Sequence, residues 1–187
     1  MRIGLKTTTY GNRVEWLDSE KKRHVTSGVV IDSAKVNSEV VDGKTVKIVP
    51  DGMPLGKITA SGKYCPLKAT KVLSGGGSGV VTCVLEETKN FQVGDAITIG
   101  GHAATIDTVN YDTGAITWTG ALTIADSDAV ICTDGSGVAA LILAERANVT
   151  DGDGIFGAID MARVKEARLP VKLTAASKAE LKMITFA

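Results

Sequence analysis

The sequence predicts a mainly β protein built of small barrel or sandwich units, with a short C-terminal helix and an extended N-terminal arm. Composition is the first observation behind that reading. Of 187 residues, 21 are glycine and only 4 proline, and aromatics make up 4%. Val, Ile and Thr crowd alternating segments, a balance that favours short strands joined by glycine turns over a helical bundle. Turn spacing is the second: turn residues recur every ~8–12 positions through the middle of the chain, as in a small barrel or sandwich. The third is that a helical pattern is convincing only near the end.

Residues 1–36 are polar, mixed and weakly periodic, with too few apolar side chains for a core of their own. Thr7-Thr8-Thr9-Tyr10 reads as a short extended piece, Gly11-Asn12 as a turn, and Glu20-Lys21-Lys22-Arg23-His24 as a solvated charge run. The β pattern begins near Gly43, so residues 1–42 are expected to form an arm. In Lys44–Pro50, Val46 and Ile48 share one face. Asp51-Gly52 supplies a tight turn between Pro50 and Pro54, Pro54–Thr59 is a second strand, and Ser61-Gly62-Lys63 turns again before Tyr64.

Ser74-Gly75-Gly76-Gly77-Ser78-Gly79 is the clearest punctuation. A phosphate-binding loop needs Gly-Lys-Ser/Thr leading into a helix, whereas this run leads into the strand-like Val80–Leu85. It reads as a hinge or hairpin loop. Short strands then follow at Ala96–Ile99, Ala104–Ile106, Val109–Tyr111, Ala115–Trp118 and Ala129–Cys132, with turns at Gly100-Gly101 and Asp112-Thr113-Gly114. Val138–Ala144 is a continuous apolar run, short enough for a buried strand, with a helical turn left open. Ile155–Val164 is another strand, and Thr174 or Ser177 is placed to cap a helix over Ala175–Lys182.

Formal net charge is zero, with 21 basic and 21 acidic residues, so no global attraction to nucleic acid or to an anionic membrane is expected. The distribution is uneven. Residues 1–70 hold 12 basic and 7 acidic side chains (net +5), residues 71–133 hold 2 and 7 (net −5), and residues 134–187 hold 7 and 7. Cys65, Cys83 and Cys132 are odd in number and widely spaced, which reads as buried reduced thiols rather than a disulfide framework or zinc site. MRIGLKTTTYGNRVEW lacks the apolar run of a signal peptide, and no stretch reaches the ~18 apolar residues that span a bilayer. A soluble protein is expected.

Catalytic chemistry is not visible. Nucleophilic triads need a histidine beside the nucleophile. His24 falls in the charge run and His102 at a hairpin tip, both simplest as surface residues. Asp151-Gly152-Asp153 lacks the remaining ligands of a calcium loop and reads as a turn, as does Asp126-Ser127-Asp128. No nucleotide, flavin, haem or metal cofactor is indicated, and no nucleic-acid-binding module appears. The expectation is a non-enzymatic binding or assembly protein with no catalytic, cofactor or metal residues.

Two blocks carry a family likeness. One is Val49-Pro50-Asp51-Gly52-Met53-Pro54-Leu55-Gly56-Lys57-Ile58-Thr59-Ala60-Ser61-Gly62-Lys63-Tyr64. The other runs from Thr133-Asp134-Gly135 through Ala140–Ala144 and Val149–Asp153 to Ala167-Arg168-Leu169-Pro170, ending in Leu181–Phe186. In order and spacing they resemble the head decoration proteins of tailed phages, the family of the phage lambda decoration protein. The likeness covers about half the chain and implies a β-rich domain over 43–70 plus 134–187. Residues 71–133, absent from the family's short form, would be an inserted β domain closed by two adjacent linkers.

The resemblance also implies a homotrimer on the outer surface of the virion capsid, assembled in the host cytoplasm, which cements the shell by binding the major capsid protein. An N-terminal arm would contact the coat protein by adding a strand to an exposed edge. Thr7, Thr8, Thr9, Tyr10 and Trp16 are the residues expected to make that contact. A glycan- or host-binding accessory of the virion, with 71–133 as its recognition module, is the alternative, as is a tail or baseplate component.

Overall fold

The computed structural model describes residues 16–18 and 22–187. The protein is mainly β, with a closed six-stranded barrel, a rolled eight-stranded sheet and one short α-helix.

The barrel uses β8 (Ala69–Ser74), β9 (Gly77–Leu85), β10 (Ala96–Ile99), β11 (His102–Asn110), β12 (Ala115–Ile124) and β13 (Ala129–Cys132), closing in the order β10-β11-β12-β9-β8-β13. Period-two alternation fills it, because successive side chains on a strand point to opposite faces. Ile97 and Ile99, Ile116 and Trp118, Val130, Ile106, Val72, Cys83 and Leu85 all point inward around Phe91. Gly75-Gly76 of the glycine run form the β8–β9 hairpin loop, while Gly77–Gly79 open β9, and Gly100-Gly101 turns β10 into β11. Within this core the Trp118 indole N–H has no hydrogen-bond partner, the one such buried side-chain atom among the described residues.

The larger sheet runs β1 (Arg23–His24), β17 (Ala158–Val164), β14 (Ala139–Leu143), β6 (Pro54–Lys57), β7 (Tyr64–Pro66), β2 (Val29–Ile31) and β16 (Gly154–Phe156), with β18 (Ile184–Phe186) parallel to β17. One end strand, β16, is consecutive in the chain with β17, the strand beside the opposite end. Only Gly157 separates β16 from β17, so the single strand expected over Ile155–Val164 is bent there and the sheet rolls back on itself. Two clusters cover its faces. Leu141 and Leu143 join Val29, Ile31, Leu55 and Val149 on one side, while Ala139 and Ile142 join Trp16, Leu67, Ile159, Leu173 and Leu181 on the other. A central strand with both faces buried has no polar side, which explains the uninterrupted apolar run around β14.

Small pairs complete the fold: β3 (Glu39–Val41) with β4 (Lys44–Val46), and β5 (Ile48–Val49) with β15 (Ala147–Asn148). The helix α1 (Ala175–Glu180) is capped as expected, its Ser177 N–H donating to the Thr174 hydroxyl at 3.0 Å.

Part of the stretch expected as an arm is built into this sheet. β2 pairs with both β16 and β7, and Val29 and Ile31 are core residues. Further upstream, Trp16–Asp18 and β1 run antiparallel along β17: Lys165 N–H donates to the Trp16 carbonyl at 2.7 Å and Asp18 N–H to the Arg163 carbonyl at 2.9 Å. Three ion pairs brace the run, Asp18 with Arg163 at 3.2 Å and with Lys165 at 3.6 Å, and Arg23 with Asp160 at 2.7 Å.

Trp16, 5% exposed, anchors it; its indole N–H donates to Asp51 at 3.3 Å and its ring lies against Gly52. Gly52 has φ of +77°, and a Cβ there would stand 2.9 Å from the ring. Both the left-handed backbone and the overpacking oppose a side chain, so Gly52→Ala is expected to cost about 1–3 kcal/mol in urea unfolding. An unchanged midpoint would mean that the ring yields freely.

Candidate functional surfaces at the barrel junction

The chain enters the barrel through Leu67-Lys68 and leaves it through Thr133–Val138. The two crossings lie side by side: Lys68 N–H donates to the Ser136 carbonyl at 3.0 Å, and Cys132 N–H to the Lys68 carbonyl at 3.0 Å. Gly56 of β6 permits this approach, since a Cβ there would fall on the Ser136 carbonyl.

Between the crossings lies a line of four charges. Lys68, with no exposed surface, meets Asp95 at 2.6 Å; Lys35 lies 3.5 Å from Asp95 and 3.1 Å from Asp134. Asp95 also accepts the Gln92 N–H at 2.8 Å, and Asp134 accepts from both the backbone and the hydroxyl of Ser136. Asp95 stands at the start of β10, while Lys35 lies in a 3-10 turn, Ser33–Lys35, next to β2. The charges therefore join the barrel to the rolled sheet. Uncharged contacts do the same: Asn37 donates to the Lys89 and Phe91 carbonyls, Gln92 to Ala34 at 3.2 Å, and Asn90 to Leu67 at 3.0 Å.

Titration follows the geometry. Burial would raise the Asp134 carboxyl, but the Ser136 bonds and Lys35 outweigh it and hold the group at about 2. On the far side of the 3-10 turn, Asp153 is also held at about 2, first by the Lys63 ammonium and then by the Ser33 N–H and hydroxyl. Lys35 is raised: burial pulls it down, and Asp134 and Asp95 more than compensate. The three cysteines are free and buried, and burial pushes Cys65 up to about 12 and Cys83 to about 11. A thiol held protonated is a poor nucleophile.

Two clefts flank the junction. One, of about 930 Å³, lies between β8 and β13 and the segment leading into α1; Lys172 pairs with Glu86 at 2.9 Å across its mouth. The other, of about 640 Å³, lies between the β3–β4 hairpin, the Lys89–Asn90 loop and Tyr111. Among the described residues no group of three or more His, Cys, Asp or Glu side chains is placed to hold a metal. His24 and His102 are exposed on separate strands. No helix of the described residues is long and apolar enough to cross a membrane.

Of the residues expected at a shell contact, Thr7, Thr8, Thr9 and Tyr10 lie outside the described residues. Trp16 is in the core, where its ring anchors the first strand rather than facing a free surface. Lys68 and Asp95 carried no sequence signal. Each looks like an ordinary surface charge until the fold closes their separation of 27 positions. Comparison of the chain with family models, curated proteins and solved structures finds no match to any of them.

Removing one member of a buried ion pair strands the other, a loss of about 3–5 kcal/mol. Lys68→Met should lose that much in urea unfolding, and adding Asp95→Asn should recover part of it. Strictly additive losses in the double-mutant cycle would mean that the two groups do not depend on each other. The acid limb has a defined sign. Unfolded aspartates take up protons near pH 4, whereas folded Asp134 and Asp153 resist protonation until about 2. Below about pH 4 protons therefore favour the unfolded chain, and the contribution of these groups, fully present above that, fades as pH falls through 2. Urea midpoints measured from pH 5 to 2 should show the fall, with a shallower slope in Asp134→Asn.

Proposed function

We propose that the chain is a structural protein of a tailed-phage virion that binds the outside of the capsid as a homotrimer and cements the shell. One observation carries the reading. The two sequence blocks that resemble head decoration proteins, separated in the chain by the barrel strands, lie together in the rolled sheet. Strand β6 of the first block pairs directly with β14 of the second, Leu55 opposite Leu141. An element common to a family would be one folded unit of this kind, with additional sequence accommodated as a separate barrel.

The anchoring of the chain at Trp16 supports the same reading. Fifteen residues precede it in the sequence, among them Thr7–Tyr10. A segment tethered to a rigid body, repeated three times around a trimer, gains avidity from multivalency even where each contact is weak.

The test is co-sedimentation of the purified full chain with expanded, undecorated capsids of its phage. Binding in multiples of three and a raised temperature of shell rupture are the expected results. Thr8→Pro, which removes a backbone donor from the proposed strand, should weaken binding while leaving the unfolding midpoint unchanged. No binding to any expanded shell would remove the proposal.

A further inference from the structure

The β3–β4 hairpin, like β5–β15, is a separate two-stranded pair, but its residues are mostly exposed. Its partners are Glu39 with Val46, Val40 with Thr45 and Val41 with Lys44, joined by a turn at Asp42-Gly43. Neither strand pairs with any other among the described residues. All three β3 side chains are exposed, Val40 at 72% and Val41 at 40%, although the two point to opposite faces. A two-stranded hairpin with no packed face is marginal in water. Exposed valines beside an unpaired edge are what proteins usually charge or cover.

The free edge of β3 leads into the smaller cleft, which Asn37, Ser38 and Glu39 help to line. Opposite them stand Lys89, Arg146 and the half-exposed ring of Tyr111, whose hydroxyl is fixed to the Phe91 carbonyl at 2.9 Å. Lys35, also on this cleft, is already engaged by Asp134 and Asp95. Lys89 and Arg146 have no carboxylate partner among the described residues. Among the described residues these two cations are unpaired, and they line the cleft together with the apolar Ile48 and Val171. Glu39 and Asp51 are the acidic groups on the same cleft, and Asp51 accepts from Trp16.

We propose that the β3 edge and this cleft form a docking site for an extended acidic polypeptide segment. The segment would add a third strand beside Glu39–Val41, cover Val40 with the apolar side chains of one face, and place carboxylates of the other face on Lys89 and Arg146. Strand addition supplies backbone hydrogen bonds with little sequence demand. The paired charges select an acidic partner and fix its register, the guanidinium offering a two-pronged match to a carboxylate. The site is independent of capsid binding and stands whether or not that reading holds.

The probe is a blocked hexapeptide alternating Val and Glu, titrated into the full-length protein and followed by amide and valine-methyl NMR shifts. Saturable shifts at Val40, Val41 and the cleft residues are expected, with affinity falling at least tenfold in Arg146→Glu and again in Lys89→Glu. Arg146→Lys should keep most of it. Arg146 and Lys89 are exposed, so thermal unfolding of the variants should match the parent. The site is overturned if the peptide produces no saturable shift, if Arg146→Glu binds as well as the parent, or if a Val–Lys peptide or a short DNA duplex binds in its place.

Discussion

A lysine without exposed surface is the constraint on which the arrangement of this molecule depends. Taking an ammonium and a carboxylate out of water costs several kcal/mol per ion, and only close pairing with additional hydrogen bonds offsets it. Lys68 finds that at a single place, 2.6 Å from Asp95 at the mouth of β10. Because Lys68 lies in the connection that leaves the sheet after β7 and Asp95 adjoins β10 of the barrel, satisfying the charge also fixes where the barrel stands. Lys35 and Asp134 extend the pair outward, so the signs alternate from the buried end to the solvent. The Asn37, Asn90 and Gln92 amides then hold the barrel from a second side. A flexible bead on two linkers would need none of this.

On the proposed reading, such rigidity gives the barrel a set direction relative to the rolled sheet. The sheet carries the family-like blocks and is joined to the N-terminal run, while residues 71–133 hold a net charge of −5. A fixed, oppositely charged projection favours one orientation of approach to a charged surface over others.

Much of the barrel was legible in the sequence, because its strands are half-buried and alternate cleanly. Ala96–Ile99 and Ala129–Cys132 fall where the periodicity placed them, and the hairpin loop expected of the glycine run is narrowed to Gly75-Gly76, with Gly77–Gly79 already in β9. The rolled sheet was harder to read. Arg23–His24 has two exposed polar side chains and becomes a strand only because β17 pairs with it. Val29–Ile31 is too short to show a period. The bend at Gly157 divides what reads as one strand, since a sequence window registers apolar alternation and not a change of direction. Trp16 was singled out among the polar arm residues, but its burial depends on Gly52, which no local pattern links to it. The junction charges were illegible for the same reason: burial of Lys68 is a property of the closed fold, not of Pro-Leu-Lys-Ala.

The antiparallel pairing of Trp16–Asp18 and of Arg23–His24 with β17 has a mechanical side. Force drawn through the N-terminal segment along the strand axis loads its hydrogen bonds together, in shear, and the Asp18–Arg163 and Arg23–Asp160 pairs share that load. Force drawn across the axis would instead peel the strand bond by bond, beginning on the side where the force enters. Trp16 is the first described residue of the run, and its indole, held against the Asp51-Gly52 turn, fastens the side from which such peeling would advance.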